Sequence, residues 1–200
     1  MTHLRDDASR YLARMNVADA IQQRRSIKRF TDRPVTREEI ERLLAAATLA
    51  PNHRLTQSWR FHVLGPEARY AYGAALGERK AKKAASPEAG RALRDTVASE
   101  HRALPAMIVV AVVKSDNPEI AEEDYAAAMM GVENLALAAV SIGLGTHIKT
   151  GGVMADPAAR AAAGVRDDER IVAVVNVGEA SEVPPPKRRN PVESCTTWLP

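Results

Sequence analysis

Apolar positions along the chain fall into a clear series of helical and extended periods. Behind Asn16, Val17, Ala20 and Ile21 occupy one helical face, and an asparagine at that position can cap the first backbone N–H groups, so a short helix is expected over Asn16 to Arg24. Thr36-Arg37-Glu38-Glu39 has the form of a capping box, and Ile40, Leu43, Leu44 and Ala47 then share a face until Pro51 ends the run. Arg60 to Leu64 alternates with the two-residue period of a strand. Pro66 to Arg102 keeps a helical period but is heavily charged, with a weak apolar face. Met107 to Val113 is continuous, apolar and valine-rich, which predicts a strand covered on both faces. From Ile120 to Ile142 the chain reads as a long helix, apolar nearly all round after Tyr125 and therefore buried, with Gly143 and Gly145 at its end. Thr146 to Lys149 is extended, Asp156-Pro157 opens a helix that runs to Gly164, and Arg170 to Val177 is a second strand of the buried type. Pro184-Pro185-Pro186 can neither continue a helix nor sit inside a sheet, so the chain from Val183 is expected to be an extended arm.

These elements describe one α+β domain spanning 1–200, a small sheet around a buried central helix. Composition agrees. Of 200 residues, 46% are apolar and 26% charged, an ordinary globular balance, and no repeat or low-complexity linker divides the chain. The net charge of +3 favours anionic small molecules at least as readily as nucleic acid. The basic run Arg79-Lys80-Ala81-Lys82-Lys83 lacks interleaved aromatics and any helix-turn-helix context, so it reads as a solvated face and not as a nucleic-acid surface. Cys195 is the only cysteine, which rules out an internal disulfide and multi-cysteine metal sites. Met1 to Met15 lacks the apolar core of a signal peptide, and Glu133 and Asn134 interrupt the most apolar stretch, so no membrane span and a cytoplasmic location are expected.

Motifs for dinucleotide turns, phosphate loops, zinc hydrolases and serine hydrolases are missing, and the five histidines show no metal-ligand spacing. A bound cofactor could carry the chemistry instead. Two clusters stand out. Arg24-Arg25-Ser26-Ile27-Lys28-Arg29 gathers cations and a hydroxyl at a helix end, where guanidinium forks suit a phosphate and a solvated helix terminus is the plainer alternative. Ala50-Pro51-Asn52-His53, followed by Gln57-Ser58-Trp59, lies between a helix end and a strand start, with Trp59 suited to anchoring the core.

The order RRSIKRF, then LLAAATLAPNHRLTQSWRFHVL, then a buried helix ending GLGTHIKTG resembles the nitroreductase family of FMN-dependent oxidoreductases, over roughly Val17 to the C-terminus. That resemblance implies a nitroreductase-like α+β fold with a small mixed sheet, an N-terminal extension over 1–15, a variable helical lid over 66–104 and a C-terminal arm over 183–200. It also implies a homodimer with FMN at the subunit interface. Arg24, Arg25 and Ser26 fall on the motif that contacts the FMN phosphate and ribityl chain, and Lys28 on a basic position at the flavin's pyrimidine edge. His53 matches a flavin contact made from the partner subunit. Ile148, Lys149 and Thr150 match the stretch along the isoalloxazine ring, and Gly151 a position facing the hydride-accepting nitrogen. Arg189 falls where many members place a phosphate-binding arginine. Lys149 and Arg79 to Lys83 are candidates for the phosphates of the nicotinamide cofactor.

The implied activity is hydride transfer from NADH or NADPH to an electron-poor acceptor (a nitroaromatic, quinone or activated alkene) in ping-pong order. No catalytic side chain is required, since FMN carries the chemistry. A flavin-dependent dehydrogenase of a biosynthetic intermediate and a non-catalytic FMN-binding sensor are the alternatives. Leu49, Asn52, Ser58 and Ile148 depart from the subgroup with APDH-type and QPW-type motifs, and these departures bear on the substrate more than on FMN.

Overall fold

The computed structural model describes residues 15–200, so most of the expected N-terminal extension, residues 1–14, lies outside the described residues. Among the described residues six α-helices and four strands follow one another as α1 (Val17–Gln23), α2 (Arg37–Ala47), β1 (Trp59–Val63), α3 (Pro66–Ala81), α4 (Pro87–Arg102), β2 (Ala106–Val113), α5 (Pro118–Ser141), β3 (Gly145–Lys149), α6 (Pro157–Ala162) and β4 (Glu169–Gly178). The helix starts are those the sequence encodes. Asn16 accepts from Asp19 N, the Thr36–Glu39 capping box closes in both directions, and Asp156 accepts from Ala158 and Ala159 ahead of Pro157.

The sheet has the order β1-β2-β4-β3, and every pair is antiparallel. The expected mixed sheet is corrected to an antiparallel one. The parallel character is confined to an isolated bridge between Ser26 and Thr146, because the segment after α1 runs alongside β3 for too short a distance to become a strand. Between β2 and β4 the register slips where Ala111 faces Ile171 and Val110 faces Ala173, which leaves Val172 as a bulge.

Both faces of the sheet are covered. Alternate β2 residues, Ala106, Ile108, Val110 and Val112, join Leu43 and Ala47 of α2 and Val132, Leu135 and Ala139 of α5. The intervening Met107, Val109 and Ala111 join Tyr72 and Ala75 of α3 and Ala159 of α6. This two-sided packing explains why β2 and β4 read as continuous apolar runs.

α3 and α4 form a hairpin of unusually close approach. A Cβ on Gly73 would come within 2.7 Å of His101 Cβ, and one on Gly77 within 2.7 Å of Arg94 Cα. Their apolar face looked weak in the sequence because this contact is made by glycine and alanine, which score low on any hydrophobic pattern. The arm from Val183 leaves the body as an extended chain with one short turn at Val192–Cys195, and Trp198 on it is 91% exposed. Among the described residues no helix is long and apolar enough to cross a membrane.

Candidate functional site: a basic cleft between α1 and the C-terminal arm

Gly145 opens β3 because nothing larger fits there: a Cβ would collide with the Ile27 side chain. The backbone after α1 can therefore lie directly on β3, with Ile27 N donating to Thr146 O at 2.9 Å. On its outer side this segment faces the returning arm. Together they enclose a cleft of about 750 Å³ lined by Arg24, Arg25, Ser26, Lys28, Arg29, Glu133, Glu182, Pro184, Pro185, Pro186, Lys187 and Arg189, with Ile21 and Gln22 from α1. Six cations thus face two carboxylates, a local excess of positive charge that attracts an anion.

Each arginine is held differently. Arg24 Nε lies 3.3 Å from Glu133 Oε1 of α5. Arg25 donates through one terminal nitrogen to Gln22 O at 2.5 Å and Arg24 O at 2.9 Å, while its Nε is buried without a partner. Arg29 is paired with Glu182 at 3.0 Å, tying this segment to the arm. Ser26, Lys28 and Arg189 are exposed. The triple proline sets the rigid extended course of the arm that brings Arg189 back to the cleft.

Of the ten candidate residues, Arg24, Arg25, Ser26, Lys28 and Arg189 share this cleft. Ile148, Lys149, Thr150 and Gly151 do not line it but continue β3, which the Ser26–Thr146 bridge places alongside. Ile148 turns toward α2 and α5 and packs on the core. The side chains of His147 and Lys149 project from the other face of β3. Burial and then the neighbouring Lys149 and Lys28 charges lower the pKa of His147, which places Lys28 near that strand. Lys149 Nζ meets Nε2 of His101 at 3.4 Å, and His101 Nδ1 is within 2.7 Å of Val97 O, so Nδ1 carries the proton and Nε2 is the acceptor. Burial first, and then Lys80, lowers the pKa of Lys149. Thr150 and Gly151 are exposed, and Gly151 has φ 145°, a conformation glycine adopts freely.

His53 lies outside the cleft. It sits in a short turn, His53–Leu55, with Nδ1 2.6 Å from Glu123 Oε1, and this contact holds the Glu123 carboxyl below its ordinary range. Arg54 bridges Glu119 and Glu123, each at 3.3 Å.

Sequence reasoning missed Glu133, Glu182 and Lys187 in the cleft and His101 behind Lys149. For Glu133 a signal existed, since a carboxylate interrupts the most apolar helix of the chain. For His101 there was none, because one histidine in a charged helix reveals nothing about its burial, here 6% exposed.

Comparison with known proteins adds to this geometry. The nitroreductase family model matches residues 21–179. The chain is 31% identical over 184 residues to the "Putative NAD(P)H nitroreductase YfhC" of Bacillus subtilis (strain 168), covering 90% of this chain and 93% of that one. The crystal structure of a nitroreductase-like family protein from Bacillus cereus superposes with a TM-score of 0.80 at 29% identity, covering 93% of this chain and 97% of that one. A "putative nitroreductase in complex with FMN" from Desulfovibrio desulfuricans, at 24% identity, shares the fold with a TM-score of 0.71 over 94% and 98% of the two chains.

Proposed function

Because the chain belongs to the nitroreductase family, we propose that it is an FMN-dependent NAD(P)H oxidoreductase that reduces an electron-poor small molecule. The observation that carries this reading is the basic cleft. Its residues fit FMN on two counts: the buried Arg25 Nε lacks a partner that a phosphate oxygen would supply, and the volume suits a cofactor. Arg24, Arg25, Ser26 and Arg189 would hold the phosphate and ribityl chain. Lys28 and the stretch Ile148, Lys149, Thr150 and Gly151 would border the ring. Bound flavin would supply two-electron chemistry, taking hydride from NADH or NADPH and passing it to a nitroaromatic, quinone or activated alkene in two half-reactions.

The chain's own part is orientation and charge. Arg24 is steered by Glu133 and so presents its guanidinium in a fixed direction, and Lys28, on the same cleft, would supply a positive charge that favours the anionic form of a reduced flavin. The open space over Gly151, where a Cβ would meet nothing within 4 Å, lets a flat reactant approach the backbone. His53, held by Glu123 away from the cleft of its own chain, suits a contact with the flavin of a second copy. A homodimer also gives a partner to the exposed Ile21, Met130 and Trp198.

Purified protein incubated with FMN and desalted should be yellow, and anaerobic NADH or NADPH should bleach the flavin band. Protein that stays colourless would overturn the reading. Flavin bound but reduced by neither nicotinamide would leave a dehydrogenase or a sensor.

A further inference from the structure

A second cavity, of about 380 Å³, lies between the end of α5, the start of β3 and the arm. Its walls are apolar, formed by Ile27, Val140, Leu144, Ala180 and Val183. Gln23 and Arg25 are the polar side chains on it, and no carboxylate lines it. Arg25, Pro184 and Pro186 also line the basic cleft, so one arginine and the prolines form a wall common to both spaces. The Arg25 guanidinium is committed through one nitrogen only. Nη1 donates to Gln22 O and Arg24 O, which leaves the edge made by Nε and Nη2, and Nε is buried with no partner. Among the described residues no carboxylate comes within ion-pair distance of Arg25, whereas Arg24 and Arg29 each have one. A planar fork of this kind matches the two oxygens of a carboxylate. The apolar walls select further, because a strongly hydrated inorganic anion would lose water there without compensation, while an anion with an apolar body would gain from the burial. The cavity is also set apart from the open space over Gly151. It touches β3 at Gly145, its first residue, and Gly151 lies past the other end of a strand about 13 Å long.

We propose that this cavity is a second ligand site, which takes a small apolar carboxylate on Arg25 and thereby weakens FMN binding in the adjoining cleft. One free guanidinium edge cannot serve a phosphate on one side and a carboxylate on the other at full strength, so the two ligands oppose each other, and by linkage each lowers the affinity of the other by the same factor. The cavity and its ligand class stand on the geometry alone. Only the opposition to FMN rests on the reading of the cleft as a flavin site. The apolar body is either an aryl ring or an alkyl chain, and the two are separable.

The test uses the full-length protein and three variants: Arg25→Gln, Val183→Asp, and Val192→Asp as the control. Val183 and Val192 are both 66% exposed on the arm, so the two aspartates cost the fold equally little, but only Val183 lines the cavity. Fluorine NMR titration reads binding of 4-fluorobenzoate and 8-fluorooctanoate, with 4-fluorobenzyl alcohol as the uncharged probe, and the tighter of the two acids assigns the aryl or the alkyl body. The parent should bind the preferred acid saturably and the alcohol about tenfold more weakly. Arg25→Gln and Val183→Asp should weaken the acid by about fivefold or more, with Val192→Asp within twofold of the parent. FMN titrated in the presence of saturating acid should bind the parent several-fold more weakly and Val183→Asp unchanged. No saturable binding, an alcohol that binds as well as the acid, or Val183→Asp behaving like the control overturns the site. Failure of the flavin reading would look different: parent protein that retains no FMN, yet binds the acid through Val183 and Arg25, keeps the site and removes its opposition to flavin.

Discussion

Arg24 and Glu133 meet at the cleft, with Nε 3.3 Å from Oε1, so one of the guanidinium groups proposed to hold the phosphate already carries a carboxylate beside it. The pair is partly exposed, and its own contribution to stability is therefore small. Its effect on an incoming anion is larger, since Glu133 both aims Arg24 and repels the ligand. Glu133→Gln should tighten FMN binding by about threefold, and Arg24→Ala should weaken it by about tenfold, read by quenching of flavin fluorescence on titration. Tighter binding in the arginine variant would show that the phosphate lies elsewhere.

Acid should loosen the protein through His101. Burial, then Lys149, lowers its pKa from 6.5, so the folded state binds fewer protons than the unfolded chain below that pH. The contribution is intact above pH 6.5 and is lost as the pH falls below it toward the depressed folded value. His147 shifts in the same direction and adds to the slope. His101→Gln keeps a polar group in place without a titrating ring. Its melting temperature should fall less steeply between pH 6.5 and 5 than that of the parent; parallel curves would remove His101 from the effect.

Two glycines of the α3–α4 hairpin should respond to alanine with opposite signs. At Gly77 the new Cβ would lie 2.7 Å from Arg94 Cα and 2.9 Å from its carbonyl oxygen, and backbone cannot yield without parting the helices. Overpacking of about 1–3 kcal/mol should outweigh the helix-propensity gain of about 1 kcal/mol. At Gly90 the new Cβ would touch Ala81 Cβ at 3.4 Å, an ordinary contact, so Gly90→Ala should stabilise by about 0.5–1 kcal/mol. Urea midpoints measure both.

Asp124, 3% exposed on α5, accepts a hydrogen bond from the Thr56 hydroxyl, which pins the loop after α2. That loop holds Arg54, Leu55 and Gln57 at φ of 61°, 50° and 45°, a conformation disfavoured for residues with a side chain. Thr56→Val would remove the donor from a buried carboxylate and release the loop together. A loss of about 1–3 kcal/mol is expected, with faster amide exchange at Arg54 to Gln57; exchange unchanged there would mean that Asn52, which accepts from Gln57 N, is the true anchor.

Much of this fold was legible because its signals are local. Asn16, Thr36 and Asp156 start helices through contacts within three residues, and the apolar run at β2 announces a strand covered on both sides. What escaped depends on distant parts of the chain. The antiparallel order of the sheet is set by packing, and glycine contacts between α3 and α4 are invisible to a hydrophobic pattern. In the site, Arg24, Arg25 and Ser26 stood out as a run, and the cleft does gather them with Lys28 and Arg189. Nothing near His53 in sequence reveals that Glu123 holds it, or that Lys149 points away from that cleft toward His101.

The strand order has a consequence for how the protein is made. Among the described residues β4 is the last strand in chain order, yet it lies between β2 and β3 and is the only strand that pairs with β3. Until the chain has been made through Gly178, α5 and β3 have no completed sheet to dock on. The apolar residues of α5 have no finished sheet to pack on until β4, Glu169–Gly178, has been made. The cleft closes later still, because Lys187 and Arg189 follow β4 in the chain, so cofactor capture is expected to come after the sheet has formed.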